Sequence, residues 1–321
     1  MSERKSAGHG TMKIGLMMPQ GDGMRGPGTR RWSDVAAMTR LAEDTGFDSV
    51  WVVDHFLYLL EGEQTARGYW EAWTLLTAMA AITTRVELGT LVLGTGFRNP
   101  ALLVKMAETL DEVSGGRLIL GVGSGYHRHE YRAFGYPYDN KISKFEEAVQ
   151  IMHALLKQGA VDFDGEYYTA QACELKPRGP RPEGPPLLIG GKTPKMLTIV
   201  ARYADQWNAY YDATRNTIDG ARTLMDKVDE ACRVAGRDPA GLSRTVTVLV
   251  ADASADPWWT RLPGGIDTDS IVPLNGEPEA IAEELAGYAA LGVSHIQICL
   301  EPTTLAAIEN LARAVELLKQ T

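Results

Sequence analysis

The chain has 321 residues, of which 45% are hydrophobic and 23% charged, with a formal net charge of −9. That length suits a single α/β barrel, and the composition is that of a globular protein able to bury a sizeable core. The acidic balance argues against a nucleic-acid partner, since no basic stripe can neutralise a phosphate backbone, but it leaves room for a small phosphorylated molecule held by local amides.

Residues 1–11 are small, polar and glycine-rich, so they read as a disordered leader without the apolar run of a signal peptide. Residues 12–321 read as one domain. A strand is predicted at Ile14–Met18, followed by a helix capped by Ser33, with Val35, Met38, Leu41 and Ala42 on one face and a stop at Gly46. Further strands are predicted at Ser49–Val53 and Glu87–Leu93, and Pro100 opens the next helix. Trp70 and Trp73 are placed on a helix after the second strand, at a spacing that suits packing. After a strand at Leu118–Val122, the stripe Phe145, Ala148, Val149, Met152 and Leu155 marks a helix. The segment 159–185 contains VDFDGEYYTA, which reads as a small hairpin, and then the proline-rich KPRGPRPEGPP. Strands follow at Pro186–Ile189, Gln206–Tyr210 and Thr245–Val250. A second long connection, 252–276, carries Trp258, Trp259 and Pro263-Gly264-Gly265 before the last strand, His295–Leu300. The closing helix shows Leu305, Ile308, Leu311, Val315 and Leu318.

Strict alternation of eight strands with helices predicts a (β/α)8 TIM barrel with insertions after strands 4 and 7, in preference to an open doubly wound sheet. The three cysteines, Cys173, Cys232 and Cys299, are far apart and lack metal-ligand spacing, so reduced thiols in a cytoplasmic protein are expected. No apolar run reaches the length of a membrane span.

In a parallel barrel the strand ends face the active site. The second strand ends in Asp54-His55, a pair that could hold a proton donor or simply cap a loop. The third ends in Gly94, Thr95 and Gly96, small enough for a flat ring to approach the backbone. The fourth runs into Gly121-Val122-Gly123-Ser124-Gly125-Tyr126, where Tyr126 replaces the last glycine that a dinucleotide fingerprint needs. His127, Arg128, His129 and Glu130 follow without the spacing of a zinc site. The fifth ends in Gly190-Gly191-Lys192-Thr193-Pro194-Lys195, where two glycines, a capping threonine, a helix-opening proline and lysines suit a phosphate at a helix N-terminus. Trp258 and Trp259 could wall an apolar substrate pocket. No nucleophile elbow, Walker loop or catalytic-cysteine motif is present.

Three ordered segments, residues 88–135, GFDSVWVVDHF (46–56) and PPLLIGGKTPKMLTIVARYADQWN (185–208), resemble the luciferase-like monooxygenase superfamily. The resemblance is nearest its coenzyme F420-dependent oxidoreductase branch and covers the chain from Lys13. It implies a barrel holding F420, or alternatively FMN, with the ring over the strand ends. Asp54 would contact the ring and His55 would be the proton donor. A non-proline cis bond is expected near Leu91-Val92, with Gly94 close by. Ser124, Gly125 and His129 would contact cofactor oxygens, and Gly190, Gly191 and Thr193 would hold its phosphate, to which the charge of Lys192 at the same turn is expected to add. Tyr126 stands where the sugar-phosphate dehydrogenases carry a catalytic glutamate, and Leu59 where they carry a tryptophan, so another small organic substrate is expected. Tyr126 is then a second candidate acid. A homodimer is expected by the same resemblance. The alternatives are an FMN-dependent monooxygenase with a separate flavin reductase, a non-catalytic flavin-binding barrel and, last, an aldolase-type barrel.

Overall fold

The computed structural model describes residues 12–23, 28–253, 255–262 and 270–320. The expected leader at 1–11 and the Pro263-Gly264-Gly265 turn lie outside the described residues. Apolar runs form eight parallel strands: β1 (Lys13–Met17), β2 (Ser49–Val52), β3 (Glu87–Thr90), β4 (Leu118–Gly123), β5 (Leu187–Gly190), β6 (Gln206–Ala209), β7 (Ser243–Ala251) and β8 (His295–Glu301). Each pairs with the next, β8 pairs back onto β1, and the sheet closes as a barrel. Helices α1 (Trp32–Asp44), α2 (Ala72–Ala81), α3 (Pro100–Ser114), α4 (Lys141–Gln158), α5 (Pro194–Tyr203), α6 (Ile218–Val234), α7 (Pro278–Leu291) and α8 (Leu305–Gln320) follow the strands in turn.

The core has two shells. Outward strand residues such as Ile14, Leu16, Val50, Leu88 and Ile298 meet the helices. Inside, Trp51 fills the barrel because its neighbours are glycines: a Cβ on Gly89 would come within 2.1 Å of its ring, and one on Gly15 within 2.4 Å of its Nε1. Around it lies a polar layer, in which Trp51 Nε1 donates to Ser49 Oγ at 2.7 Å and Ser49 Oγ meets His295 Nε2 at 2.7 Å. The amide nitrogen of Asn208 donates to Thr245 and Gln297, each at 2.9 Å.

Several expectations are adjusted by local chemistry. Helix α1 starts at Trp32, with Arg31 rather than Ser33 at the cap, because the Asp34 carboxylate accepts from the Arg31 amide at 3.0 Å. Trp70 precedes α2 instead of lying on it; its indole donates to the Arg30 carbonyl at 2.8 Å, while Trp73 is in the helix and buried. The third strand stops at Thr90, and a separate pair, Leu93–Gly94, continues along β4. The connection after β2 adds a third excursion, a ribbon pairing Leu57–Tyr58 with Arg67–Gly68. The hairpin after α4 forms as expected from Ala160–Asp164 and Thr169–Glu174, and Arg181 of the proline-rich run pairs with Asp111 on α3.

After β7 the chain crosses the mouth of the barrel. Trp258 and Trp259 are buried there, packed in one cluster with Tyr58, Leu60, Tyr211 and the inner-wall residues Leu188 and Leu249. The crossing is tied down by the Glu61 amide, which donates to the Arg261 carbonyl at 2.9 Å, and by the Arg261–Glu63 ion pair at 3.5 Å. Among the described residues no helix is long and apolar enough to cross a membrane, and no group of side chains is arranged to hold a metal. None of the three cysteines is in a disulfide.

Candidate active site

The turn after β2 places Asp54 and His55 at the C-terminal end of the barrel, and the side-chain oxygen of Gln20 accepts from the Val53 amide at 2.6 Å to fix that turn. The two residues point to different tasks. The Asp54 carboxylate is buried and accepts from Arg98 at 2.7 and 3.0 Å and from the Gly94 amide at 3.0 Å. Arg98 also meets Glu71, the N-cap of α2, at 2.5 Å. Burial raises the Asp54 carboxyl above the usual carboxylate range, and the Arg98 guanidinium opposes that shift. Asp54 therefore acts on the mouth through the backbone of Gly94, which it holds in place.

His55 lies on the open side of the turn. Its Nδ1 is 3.0 Å from Glu130 Oε1, and the second oxygen of Glu130 accepts from the Phe56 amide at 3.0 Å. The imidazole is surrounded edge-on by Tyr58 at 4.8 Å, Tyr69 at 5.6 Å, Tyr126 at 5.7 Å and His127 at 6.2 Å between ring centroids. The hydroxyls of Tyr58 and Tyr126 are 2.9 Å apart. Burial raises the Tyr58 phenol above its ordinary range, so the pair is neutral and shares one hydrogen bond. His127 stacks on Tyr58 at 4.5 Å and accepts from the Leu59 amide through Nε2 at 3.0 Å. Burial holds it at about 4, which keeps it an acceptor at neutral pH.

The ends of β4 and β5 carry glycines around Val92, which lies just past β3. The peptide bond between Leu91 and Val92 is cis and non-proline, at the position the resemblance indicates. Val92 is flanked by two glycines: a Cβ on Gly123 would lie 2.6 Å from its side chain, and one on Gly190 would meet it at an ordinary 3.6 Å. Gly94 sits just beyond, on the short strand. Ser124 and Gly125 end β4's run, with Gly125 at φ +69°, and their carbonyls accept from Tyr131 at 3.3 Å and Lys141 at 3.0 Å. His129 is exposed, 6.1 Å from His127 between ring centroids.

At the end of β5, Thr193 caps α5 by accepting from the Met196 amide at 3.5 Å, and Pro194 opens the helix. The Gly191 carbonyl accepts from Trp207 Nε1 at 2.8 Å. Among the described residues no protein acceptor meets the amides of Gly191 and Lys192. Lys192 lies 3.4 Å from Asp212 and Lys195 lies 3.8 Å from Glu146, so both cations are partly compensated. This turn fits an anionic group by its unmatched N–H donors and the positive end of α5 more than by its lysines.

The structure thus brings His55, Tyr126, Val92, Gly94 and Gly190 around one mouth and sets Asp54 behind it. Reading the sequence residue by residue missed Arg98, Glu71, Tyr58 and Tyr69, and met Glu130 only as a failed metal motif. Their partners are distant in the chain, 44 residues apart for Asp54 and Arg98 and 75 for His55 and Glu130, so no local spacing announces them. Beside the mouth, beyond Phe56 and Tyr69, an aromatic recess of about 500 Å³ is lined by Phe56, Tyr69, Phe97, Phe134 and Tyr136 over Glu71 and Arg98. It touches His55's neighbours but none of the glycine turns.

Comparison with known proteins bears on this arrangement. Residues 12–261 match the model of the luciferase-like monooxygenase family. The chain belongs to that family. It is 30% identical over 175 residues to 5,10-methylenetetrahydromethanopterin reductase of Archaeoglobus fulgidus, covering 54% of this chain and 48% of that protein. It is 30% identical to pyrimidine monooxygenase RutA of a Bradyrhizobium species, covering 63% of this chain and 57% of the relative. It is 31% identical to F420-dependent glucose-6-phosphate dehydrogenase of Amycolatopsis mediterranei over 76% of this chain and 74% of that enzyme. Matches to the first two thus span only about half the relatives' length. The fold is shared with an F420-dependent secondary alcohol dehydrogenase solved with an F420-acetone adduct, at TM-score 0.79 and 21% identity over 96% of this chain and 99% of the other. The luciferase-like proteins it resembles are oxidoreductases and monooxygenases.

Proposed function

We propose that this protein is an oxidoreductase that binds coenzyme F420 at the C-terminal mouth of the barrel and transfers hydride to or from a small organic substrate. The observation that carries the reading is that His55, hydrogen-bonded to Glu130, follows β2 at the same C-terminal end of the barrel where Val92 follows β3 and where Gly190 ends β5, with the open amides of Gly191 and Lys192 next in the chain. Glycines at 123 and 190 keep other side chains off Val92, as the approach of a flat ring to that backbone would require, and those amides offer donors to an anionic tail. Bound there, a deazaflavin would donate or accept the hydride. The chain's own residues do the rest. His55 gives or takes the proton at the reacting atom, the Tyr58–Tyr126 hydroxyl pair offers a neutral hydrogen bond beside it, and Asp54, anchored by Arg98, accepts from the Gly94 amide and holds it in position. Trp258 and Trp259 keep water from the mouth.

F420 is favoured by the glucose-6-phosphate dehydrogenase relative and by the resemblance of residues 88–135 to that branch. A second reading, an FMN-dependent monooxygenase supplied by a separate reductase, is supported by the pyrimidine monooxygenase relatives of similar identity. Titrating the purified protein with F420 and with FMN, each followed by fluorescence, separates the two. F420 is expected to bind at least about tenfold tighter, a difference of about 1.4 kcal/mol. Tighter FMN binding with oxygen uptake on reduced FMN would replace the first reading by the second, and failure of both to bind would remove both.

A further inference from the structure

We infer that Glu130 is the positioning residue of this site, fixing His55 in a single tautomer and orientation. The inference rests on the reading above that His55 carries the proton. Glu130 lies in the short helix Arg128–Ala133 that follows β4, and only 2% of its surface is exposed. Its two oxygens are divided between two consecutive residues of the β2 turn, His55 Nδ1 at 3.0 Å and the Phe56 amide at 3.0 Å. One carboxylate therefore clamps the backbone and the side chain of that turn together.

The chemistry of the donor set decides the tautomer. A carboxylate only accepts, so the Nδ1 facing it must carry the hydrogen. In the neutral imidazole the lone pair is then on Nε2, which has no hydrogen-bond partner among the described residues and is left for the reacting atom. The Phe56 amide occupies the second oxygen, which stops the carboxylate from rotating away. Among the described residues Tyr58, Tyr69, Tyr126 and His127 stand edge-on around the ring, and Glu130 is the acceptor at hydrogen-bond distance from Nδ1. When His55 gains a proton at Nε2, the carboxylate faces the resulting cation, and when the proton leaves, the Nδ1–H stays where it was. The logic is that of a base oriented by an acceptor-only third group.

Replacing Glu130 by glutamine makes the claim testable. The Phe56 amide needs an acceptor, so the glutamine oxygen is claimed by it and the NH2 group turns toward Nδ1. That inverts the tautomer and puts the hydrogen on Nε2. Nitrogen-15 spectra of histidine-labelled protein without any cofactor read this directly, with the His55 signals assigned by their loss in His55→Asn. The parent is expected to show Nδ1–H and Glu130→Gln to show Nε2–H. Single-turnover oxidation of reduced cofactor by an accepting substrate should slow at least about a hundredfold in Glu130→Gln, with the cofactor dissociation constant changed less than about threefold. Glu130→Asp, still acceptor-only, should keep the Nδ1–H form and lose less rate than the glutamine variant. A parent protein with Nε2–H, or a Glu130→Gln that keeps Nδ1–H and full turnover, overturns the inference. If His55→Asn turns over as fast as the parent, the role of His55 falls instead, and the parent's spectrum still decides whether Glu130 sets the tautomer.

Discussion

Two histidines, one at each end of the barrel, show how partner chemistry divides structure from function. His295 opens β8 inside the barrel, where its Nε2 meets the hydroxyl of Ser49 at 2.7 Å and burial holds it at about 3. It is neutral, enclosed and committed to the polar layer under Trp51. His55 lies past the end of β2, where its Nδ1 meets a carboxylate and its side chain keeps 14% exposure toward the mouth. A hydroxyl partner inside the barrel marks His295 as structural, and on the proposal above a carboxylate partner with one ring nitrogen left over makes His55 the reactive one. The same contrast runs through the acids: Asp54 spends both oxygens on Arg98 and Gly94, whereas Glu130 spends one on a histidine.

The largest expected effect tests the anchored side of that comparison. Arg98→Met leaves the Asp54 carboxylate buried without its cation, and breaking such a pair costs about 3–5 kcal/mol. Urea unfolding at neutral pH should show that loss, and a loss below about 1 kcal/mol would mean that Asp54 is solvated or protonated instead. Next comes the pH dependence of His295. Its native value, about 3, lies below the ordinary 6.5, so between those values the unfolded chain binds the extra proton. Stability from this group is complete above about pH 6.5 and is lost as pH falls toward 3, by up to about 1.4 kcal/mol per unit. Unfolding curves at pH 8 and pH 5 should differ less in His295→Gln than in the parent by about 2 kcal/mol; equal differences would show that His295 is not held neutral.

At the mouth the effects are smaller in energy and appear in binding. Gly190→Val places methyls against Val92, where a Cβ meets only ordinary contact at 3.6 Å, so the fold should survive while cofactor binding weakens about tenfold, or about 1.4 kcal/mol. Gly191 is a less clean target, because a Cβ there comes within 2.8 Å of Met196 on α5. An unchanged dissociation constant for Gly190→Val, measured beside an unchanged melting temperature, would remove the ring wall from Gly190. Lys192→Ala should change affinity least, by less than about threefold, because Asp212 already compensates the cation and the exposed pair is screened by salt. A larger loss at 0.15 M salt than Gly190→Val causes would reverse the assignment of amides over lysines.

The barrel was legible because parallel strands buried on both faces read as apolar runs, and all eight were placed within a few residues. Local helix starts were legible too: Pro100 opening α3 and Thr193 capping α5 before Pro194 are local devices. Ser33 failed because Asp34 could reach back to Arg31, a competition that residue types alone do not rank. The cis bond at Leu91-Val92 came from resemblance, since nothing in those two side chains requires it. The division of labour between Asp54 and His55 was not legible, because it depends on Arg98 and Glu130, brought there by β3 and β4. Nor was the crossing of the mouth by Trp258 and Trp259, whose burial is decided by Tyr58, Leu60 and Tyr211 from other loops.

The central claim is that His55 moves a proton at a cofactor-binding mouth and does not merely fill space there. Its most direct test is His55→Asn, which keeps a hydrogen-bond donor and similar size but cannot titrate. Stopped-flow oxidation of the reduced cofactor, at saturating cofactor and with an acceptor drawn from a carbonyl, imine and enone panel, should slow by at least about 10²-fold. The cofactor dissociation constant should stay within about fivefold, roughly 1 kcal/mol. A variant that reacts as fast as the parent, with its only loss in thermal stability, would contradict the account and leave His55 a packing residue, with Tyr126 the next group to test.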